Sequence, residues 1–168
     1  MKKDLRIKAK NVRKTLNIKA LSKTLIDHLR TKRYYKDAQN IMIYYPLDDE
    51  IDLLDLMQDD KDFYLPRVDG KCLEVCPYKK GDEMAFSEWG VREPVCDAVG
   101  AAVLDLVIVP SLMTDKNNHR LGYGGGYYDR FLRNYHDITS VTLVAKELVA
   151  ETLPIDEGDE KVNFVIWG

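Results

Sequence analysis

The chain has 168 residues, and its 25 basic and 28 acidic side chains give a formal net charge of −3. This length predicts a single domain, residues 1–168, whose core needs no disulfide or metal, and the charge excludes the strong basic excess of a protein that coats nucleic acid. No apolar run approaches the roughly 20 residues of a membrane span, the first residues do not predict a secretory signal, and three cysteines suggest reduced thiols, so we expect a cytoplasmic protein.

The hydrophobic pattern predicts two amino-terminal helices and then strands in alternation with helices. Apolar residues recur at helical spacing over residues 5–16 and 18–29, and both helices are basic on the outer face. Two further helices are predicted over residues 48–57 and 127–136. Short apolar runs predict strands at residues 40–46, 63–68, 73–78, 105–110, 140–145 and 162–167. Residues 81–94 predict an irregular loop. This alternation favours the α/β class with a largely parallel sheet covered on both faces.

The glycine-rich run from Arg120 to Asp129 carries the most information about chemistry. Four glycines between Gly122 and Gly126 permit positive φ values and let the main chain approach a ligand closely. Because the run leads straight into a helix, its free N–H groups favour an anion, most naturally a phosphate. Arg120 would add a charged planar fork, and Asp129 could hold Mg²⁺ beside the phosphates. The run matches neither the Walker loop nor the dinucleotide fingerprint, and a flexible turn before a helix is the alternative.

Other candidate residues lie outside this run. Lys2 and Arg6 are one helical turn apart and could address one anion, or they could belong to a solvated basic face. Glu50 follows the strand that carries Tyr45, where open α/β sheets place their ligands, although an acid at the start of a helix is equally consistent with the pattern. Trp89 could be a stacking wall for a ligand or an ordinary packing anchor.

Four segments of the chain together match the pattern of one family. The longest is DLVIVPSLMTDKNNHRLGYGGGYYDRFL at residues 105–132, and the others are KKDLR at 2–6, YPLDDEI at 45–51 and LPIDEGDEKV at 153–162. In these segments the chain resembles the 5-formyltetrahydrofolate cyclo-ligase family, also called methenyltetrahydrofolate synthetase. It departs from the family's common pattern at Ser111, Thr114 and Asn163, and in a shorter loop between Tyr78 and Glu93.

The resemblance implies a three-layer α/β/α fold like that of sugar-phosphate isomerases and CoA-transferases. It also implies closure of 5-formyltetrahydrofolate to 5,10-methenyltetrahydrofolate, with ATP as co-substrate and Mg²⁺ as cofactor, by a monomer with no nucleic-acid or membrane partner. A sugar-phosphate isomerase, a CoA-transferase-like enzyme or a non-catalytic module that binds folate or nucleotide would be the alternatives on such a fold.

The resemblance also assigns roles by position. The residues that would hold ATP are Lys2, Arg6, Arg120, Leu121, Gly122, Tyr123, Gly124, Gly125, Gly126, Tyr127 and Tyr128. Arg120 and Tyr128 would act in catalysis. The folate would meet Tyr45, Glu50 and Trp89, and magnesium would be held by Asp129 and Asp159. Asp159 lies in the acidic stretch DEGDE, and its assignment depends on the resemblance alone.

Overall fold

A computed structural model describes residues 1–168 as a mixed α/β structure. Its helices are α1 (Lys2–Arg13), α2 (Ile18–Arg30), α3 (Arg33–Lys36) and α4 (Tyr127–Asn134). Its strands are β1 (Asn40–Met42), β2 (Asp62–Asp69), β3 (Cys72–Pro77), β4 (Met84–Phe86), β5 (Arg92–Pro94), β6 (Leu106–Ile108), β7 (Met113–Asp115), β8 (Arg120–Leu121), β9 (Thr139–Val144), β10 (Val149–Ala150) and β11 (Phe164–Trp167). None of the helices is both long enough and apolar enough to cross a membrane.

The central sheet has six strands in the order β11-β9-β6-β1-β2-β3. All neighbouring strands are parallel except β3, which runs antiparallel to β2. From β1 the chain proceeds through β2 to β3 on one side, and from β6 it proceeds through β9 to β11 on the other. The strand order therefore reverses between β1 and β6, which is where sheets of this kind bind their ligands. A three-stranded sheet, β10-β7-β8, and a β4–β5 hairpin lie outside the central sheet.

Side chains of the central strands are buried on both faces of the sheet. In β1, Ile41 joins the core cluster that includes α2, whereas Met42 joins the cluster that includes α4. In β6, Leu106 and Val107 divide between the same two clusters. This alternation follows from the period of two along a strand, and it confirms a sheet with helices on both faces.

Two predicted elements were wrong. Residues 48–57 do not form an α-helix; a 3₁₀ turn covers only Leu54–Gln58. Acidic side chains bond to the local backbone instead, since Glu50 accepts from the amide of Leu47 and Asp52 from the amide of Leu54. Residues 81–94 are not wholly irregular either, because β4 and β5 form a short antiparallel hairpin there.

The buried sheet predicts a sharp contrast between two isoleucine-to-alanine substitutions. Ile41 is 0% exposed in the middle of β1, whereas Ile7 on α1 is 52% exposed. Ile41→Ala should lower the free energy of unfolding by about 2–5 kcal/mol because it leaves a cavity, whereas Ile7→Ala should change it by about 0.5 kcal/mol or less. Urea denaturation of both variants measures the difference. Equal losses would contradict the placement of β1 at the centre of the core.

Candidate active site

Chain segments that leave the carboxyl ends of β1 and β6 form the floor of the candidate site. The segment after β1 leads through Tyr45 to Glu50, and the segment after β6 carries Pro110 and Ser111. The carbonyl oxygens of Pro110 and Ser111 accept hydrogen bonds from Arg120 and Arg13, respectively. Two arginines distant in sequence are thereby held at the point where the strand order reverses.

Arg120 is a charged group in a nearly closed environment. Its side chain is 4% exposed, and its Nη1 donates to the carbonyl of Pro110 at 3.0 Å. Its Nη2 lies 3.9 Å from Oδ1 of Asp129, and its guanidinium carbon lies 5.7 Å from the ring centroid of Tyr128. The buried Nε has no hydrogen-bond partner. Desolvation lowers the pKa of Arg120 from its ordinary value, but a guanidinium titrates so high that it stays charged. An unpaired buried donor is costly, so the chain does not fully compensate the burial of this guanidinium.

The glycine loop, residues 122–126, lies over this guanidinium. A Cβ on Gly122 would come within 2.9 Å of Nη1 of Arg120, so a side chain there would displace the arginine. Gly124 and Gly126 adopt φ values of +111° and +71°, which residues with a Cβ atom rarely adopt. Gly126 is the N-cap of α4 and provides no side-chain cap. The first amides of α4 are therefore available to an anion.

Helix α1 contributes two further cations, one at this loop and one at the acidic stretch. Nε of Arg6 donates to the carbonyl of Gly122 at 2.8 Å. Nζ of Lys2 forms ion pairs with Asp156, at 2.8 Å, and with Asp159. Burial opposes the charge on Lys2, but its bonds to these two carboxylates outweigh burial and raise its pKa. The structure therefore places Arg6 on the glycine loop and Lys2 on the acidic stretch, so the basic face of α1 is not merely solvated.

Asp129 and Asp159 approach Arg120 from two different segments. Oδ1 of Asp129 accepts from the amide of Glu160 at 3.1 Å, so α4 is bonded to the stretch that contains Asp159. Burial raises the pKa of Asp159. The backbone amide of Asp156 and the positive side chains of Lys2 and Arg120 lower this pKa by more, so its net shift is downward. No group of three or more His, Cys, Asp or Glu side chains is placed to hold a metal alone. Two carboxylates are nevertheless sufficient for Mg²⁺ when phosphates complete its coordination.

Glu50 is a buried carboxylate, 6% exposed, at the other end of the site. Its Oε1 accepts from the amide of Leu47 at 2.8 Å, and its Oε2 accepts from the hydroxyl of Tyr123 at 3.0 Å. Burial raises the pKa of Glu50, although these bonds and nearby Arg13 oppose the shift. Glu50 is therefore not an ordinary exposed acid at a helix start.

Arg13 is a site residue that the sequence reasoning missed. It was placed on the basic outer face of the first helix, yet it is 6% exposed. Its Nη1 donates to the hydroxyl of Tyr123 at 2.7 Å, and its Nη2 donates to the carbonyl of Ser111 at 2.6 Å. A signal did exist, because Arg13 lies one helical turn after Ala9, and these two are the buried residues of α1.

The remaining predicted residues occupy different environments. The guanidinium of Arg92 lies over the ring of Tyr45, at 5.6 Å, and over that of Phe86, at 5.0 Å, which joins the β4–β5 hairpin to the segment after β1. Trp89, at the tip of this hairpin, is 65% exposed and is therefore not a packing anchor.

The side chain of Leu121 is buried in the core. The hydroxyl of Tyr127 reaches the carbonyl of Gly70 at 3.4 Å.

Burial of the Glu50 carboxylate has a consequence for stability. Because its pKa is raised in the folded chain, the folded state binds more protons than the unfolded state between the two pKa values, and stability falls as the pH rises through that interval. The melting temperature of Glu50→Gln relative to the wild type should therefore rise as the pH increases from about 4, near the ordinary value for glutamate, to 7. This trend adds to a constant loss, because the NH2 group of glutamine cannot replace one of the two acceptor oxygens. Thermal melts across this pH range, with the exposed Glu157→Gln as control, measure the effect. A pH-independent loss of stability in Glu50→Gln would contradict it.

Comparisons with known proteins identify relatives of this chain. A sequence profile of the 5-formyltetrahydrofolate cyclo-ligase family matches residues 1–168. The 5-formyltetrahydrofolate cyclo-ligase of Mus musculus is 27% identical over 152 residues, which cover 79% of this chain and 75% of that protein. The protein of the same name from Haemophilus influenzae is 30% identical over 145 residues, which cover 79% of this chain and 78% of that protein.

Two solved structures share the fold over almost all of the chain. The solution structure of Aquifex aeolicus 5,10-methenyltetrahydrofolate synthetase matches with a TM-score of 0.85 and 28% identity, over 99% of this chain and 89% of that one. A synthetase of the same name from Mycoplasma pneumoniae matches with a TM-score of 0.75 and 18% identity, over 98% and 97% of the two chains, and supports the fold. With the profile match over its full length, the chain belongs to the 5-formyltetrahydrofolate cyclo-ligase family.

Proposed function

We propose that this chain converts 5-formyltetrahydrofolate to 5,10-methenyltetrahydrofolate at the expense of ATP, with Mg²⁺ as cofactor and with release of ADP and phosphate. The observation that carries the proposal is the buried guanidinium of Arg120 beneath the glycine loop, at the same edge of the sheet as the buried carboxylate of Glu50. The guanidinium suits a phosphate, and the carboxylate suits a ring with N–H donors. We also propose that the protein acts as a single-domain monomer in the cytoplasm, without nucleic acid or membrane.

ATP would lie in the glycine loop. The first amides of α4 would face its phosphates, and the guanidinium of Arg120 would lie beneath them. Arg6 already binds the loop carbonyl of Gly122, and Lys2 lies beside the acidic stretch. Leu121 would contribute by holding the strand that enters the loop, since its side chain is in the core.

We assign the magnesium ion to the two aspartates. Asp129 and Asp159 each use one carboxylate oxygen for contacts within the chain, which leaves the second oxygen of each for a metal. Asp129 and Asp159 would hold the ion, which would neutralise charge that develops on the transferred phosphoryl group. A hard cation with one or two carboxylates, phosphates and water is the usual arrangement for Mg²⁺.

Glu50 would bind the pterin ring of the folate. An ionised carboxylate can accept two N–H donors from a pterin ring, and Tyr45 lies a few residues before it on the same segment. Trp89 projects from a hairpin that Arg92 ties to Tyr45. An exposed indole placed in this way could cover one face of the bound ring system.

The proposed chemistry begins with transfer of the γ-phosphoryl group. A bond forms between the formyl oxygen and phosphorus while the bond to ADP breaks. N10 of the folate then attacks the activated formyl carbon and loses its proton, the carbon–oxygen bond breaks with its electron pair going to phosphate, and the five-membered ring closes. Arg120 would stabilise the charge of the transferred group, and Tyr128, beneath the guanidinium, would hold it in place. No covalent nucleophile is required, because phosphoryl transfer depends mainly on positioning and electrostatics.

An absorbance assay tests this function. Purified protein is mixed with 5-formyltetrahydrofolate and magnesium ATP, and the near-ultraviolet absorption of the methenyl product is followed together with ADP. We expect product and ADP to form in equal amounts, and only when both substrates are present. Absence of product, combined with stabilisation by ribose 5-phosphate rather than by magnesium ATP in a thermal-shift assay, would instead support a sugar-phosphate enzyme on the same fold.

Arg120→Lys tests the role of the guanidinium. An ammonium group is a point charge and cannot reproduce the two-pronged contact, so turnover should fall by about 10²-fold or more while circular dichroism shows an intact fold. Arg33→Lys is the matched control, because the side chain of Arg33 is 88% exposed in a surface ion pair with Asp37. Turnover near the wild-type value in Arg120→Lys would remove Arg120 from the mechanism.

Asp129→Asn and Asp159→Asn test the metal site. Each change removes one charged oxygen ligand, so each variant should need several-fold to tenfold or more Mg²⁺ for half-maximal rate, and excess metal should recover part of the activity. Asp137→Asn, at a side chain that is 95% exposed, is the control. If the magnesium dependence of Asp159→Asn matches that of the wild type, Asp159 serves only as the ion-pair partner of Lys2.

A further inference from the structure

We propose that Tyr123 is a positioning residue that couples the two halves of the site, so that bound ATP and bound folate strengthen each other's affinity. This inference rests on the proposed function, since it takes the glycine loop as the ATP site and Glu50 as the folate acceptor. It goes beyond that function because it assigns to the hydroxyl of one loop tyrosine the communication between the two ligands.

Tyr123 belongs to both sites at once. Its backbone lies in the glycine loop between Gly122 and Gly124, and its hydroxyl donates to Oε2 of Glu50 at 3.0 Å. The same hydroxyl accepts from Nη1 of Arg13 at 2.7 Å. Glu50 is separated from Tyr123 by 73 positions in sequence and Arg13 by 110, so the hydroxyl joins three distant segments at one point.

The partners of this hydroxyl are anchored in the core. Arg13 is buried, and its Nη2 donates to the carbonyl of Ser111, which lies in the segment that follows β6. Glu50 is buried, and its other oxygen is held by the amide of Leu47. Tyr123 is the one member of this chain of contacts that is not buried: it is 40% exposed and lies in a loop with two glycines at positive φ.

Coupling follows from this arrangement. When phosphates fix the amides of the loop, they also fix the ring of Tyr123, and its hydroxyl then holds Oε2 of Glu50 in place for the folate. When the folate binds the anchored Glu50, it favours the position of Oε2 that also accepts from Tyr123, and the hydroxyl then holds the loop in the conformation that receives phosphates. The hydrogen bond also supports the ionised form of Glu50 and so opposes burial, which raises the pKa of that carboxyl. By thermodynamic linkage, each ligand must improve the affinity of the other by the same factor.

A binding cycle measures the coupling directly. The Kd of 5-formyltetrahydrofolate is measured by calorimetry on the full chain, with and without a saturating β,γ-imido analogue of ATP and Mg²⁺, and the ratio of the two values is the coupling factor. We expect a factor of about tenfold in the wild type, within the usual range for linked sites, and about twofold or less in Tyr123→Phe. The ratio is insensitive to a uniform loss of affinity or stability.

Tyr35→Phe is the matched control, because Tyr35 also donates its hydroxyl to a carboxylate that binds an arginine. That hydroxyl lies 2.5 Å from Oδ2 of Asp59, which pairs with Arg30 away from the site. Tyr35→Phe should keep the wild-type factor. An unchanged factor in Tyr123→Phe, a factor of one in the wild type, or an equal loss in both variants would overturn the coupling role and leave the proposed function intact. Wild-type protein that binds neither the analogue nor the folate would overturn both.

Discussion

The site depends on a guanidinium held out of water beneath a loop without side chains. Arg120 keeps one donor unpartnered in the interior, and a buried charge without full compensation costs stability. The loop can cover it only because Gly122 lacks a Cβ that would strike the guanidinium. Asp129 and Tyr128 complete its surroundings from the first turn of α4. A buried charge with incomplete compensation is typical of functional sites.

The fold supplies the place for this group. The strand order reverses between β1 and β6, and the segments that leave these strands hold Glu50 and the carbonyls that accept from two arginines. Helix α1 then reaches the site at three points along one side, through Lys2, Arg6 and Arg13. One amphipathic helix thus serves the acidic stretch, the glycine loop and the buried carboxylate.

Features that are local in sequence could be predicted, and features made by distant contacts could not. The glycine loop, Arg120 and the first turn of α4 are contiguous, so composition and helix geometry were sufficient to indicate an anion site. Arg13 and Tyr123 meet across 110 positions, and no local pattern announces that contact. Residues 48–57 have helical spacing, but their acids bond to the local backbone, and the three-residue strands β4 and β5 are too short to show a period.

If the site phosphorylates the formyl oxygen, an isotope in that oxygen must pass to phosphate. The substrate 5-formyltetrahydrofolate is prepared with a heavy oxygen isotope in the formyl group and converted in a single turnover with magnesium ATP. Phosphoryl transfer to the formyl oxygen should place the heavy isotope in inorganic phosphate, because the carbon–oxygen bond breaks after the oxygen has bonded to phosphorus. Heavy isotope in water, with none in phosphate, would contradict phosphoryl transfer to the folate and with it the role assigned to the glycine loop and Arg120.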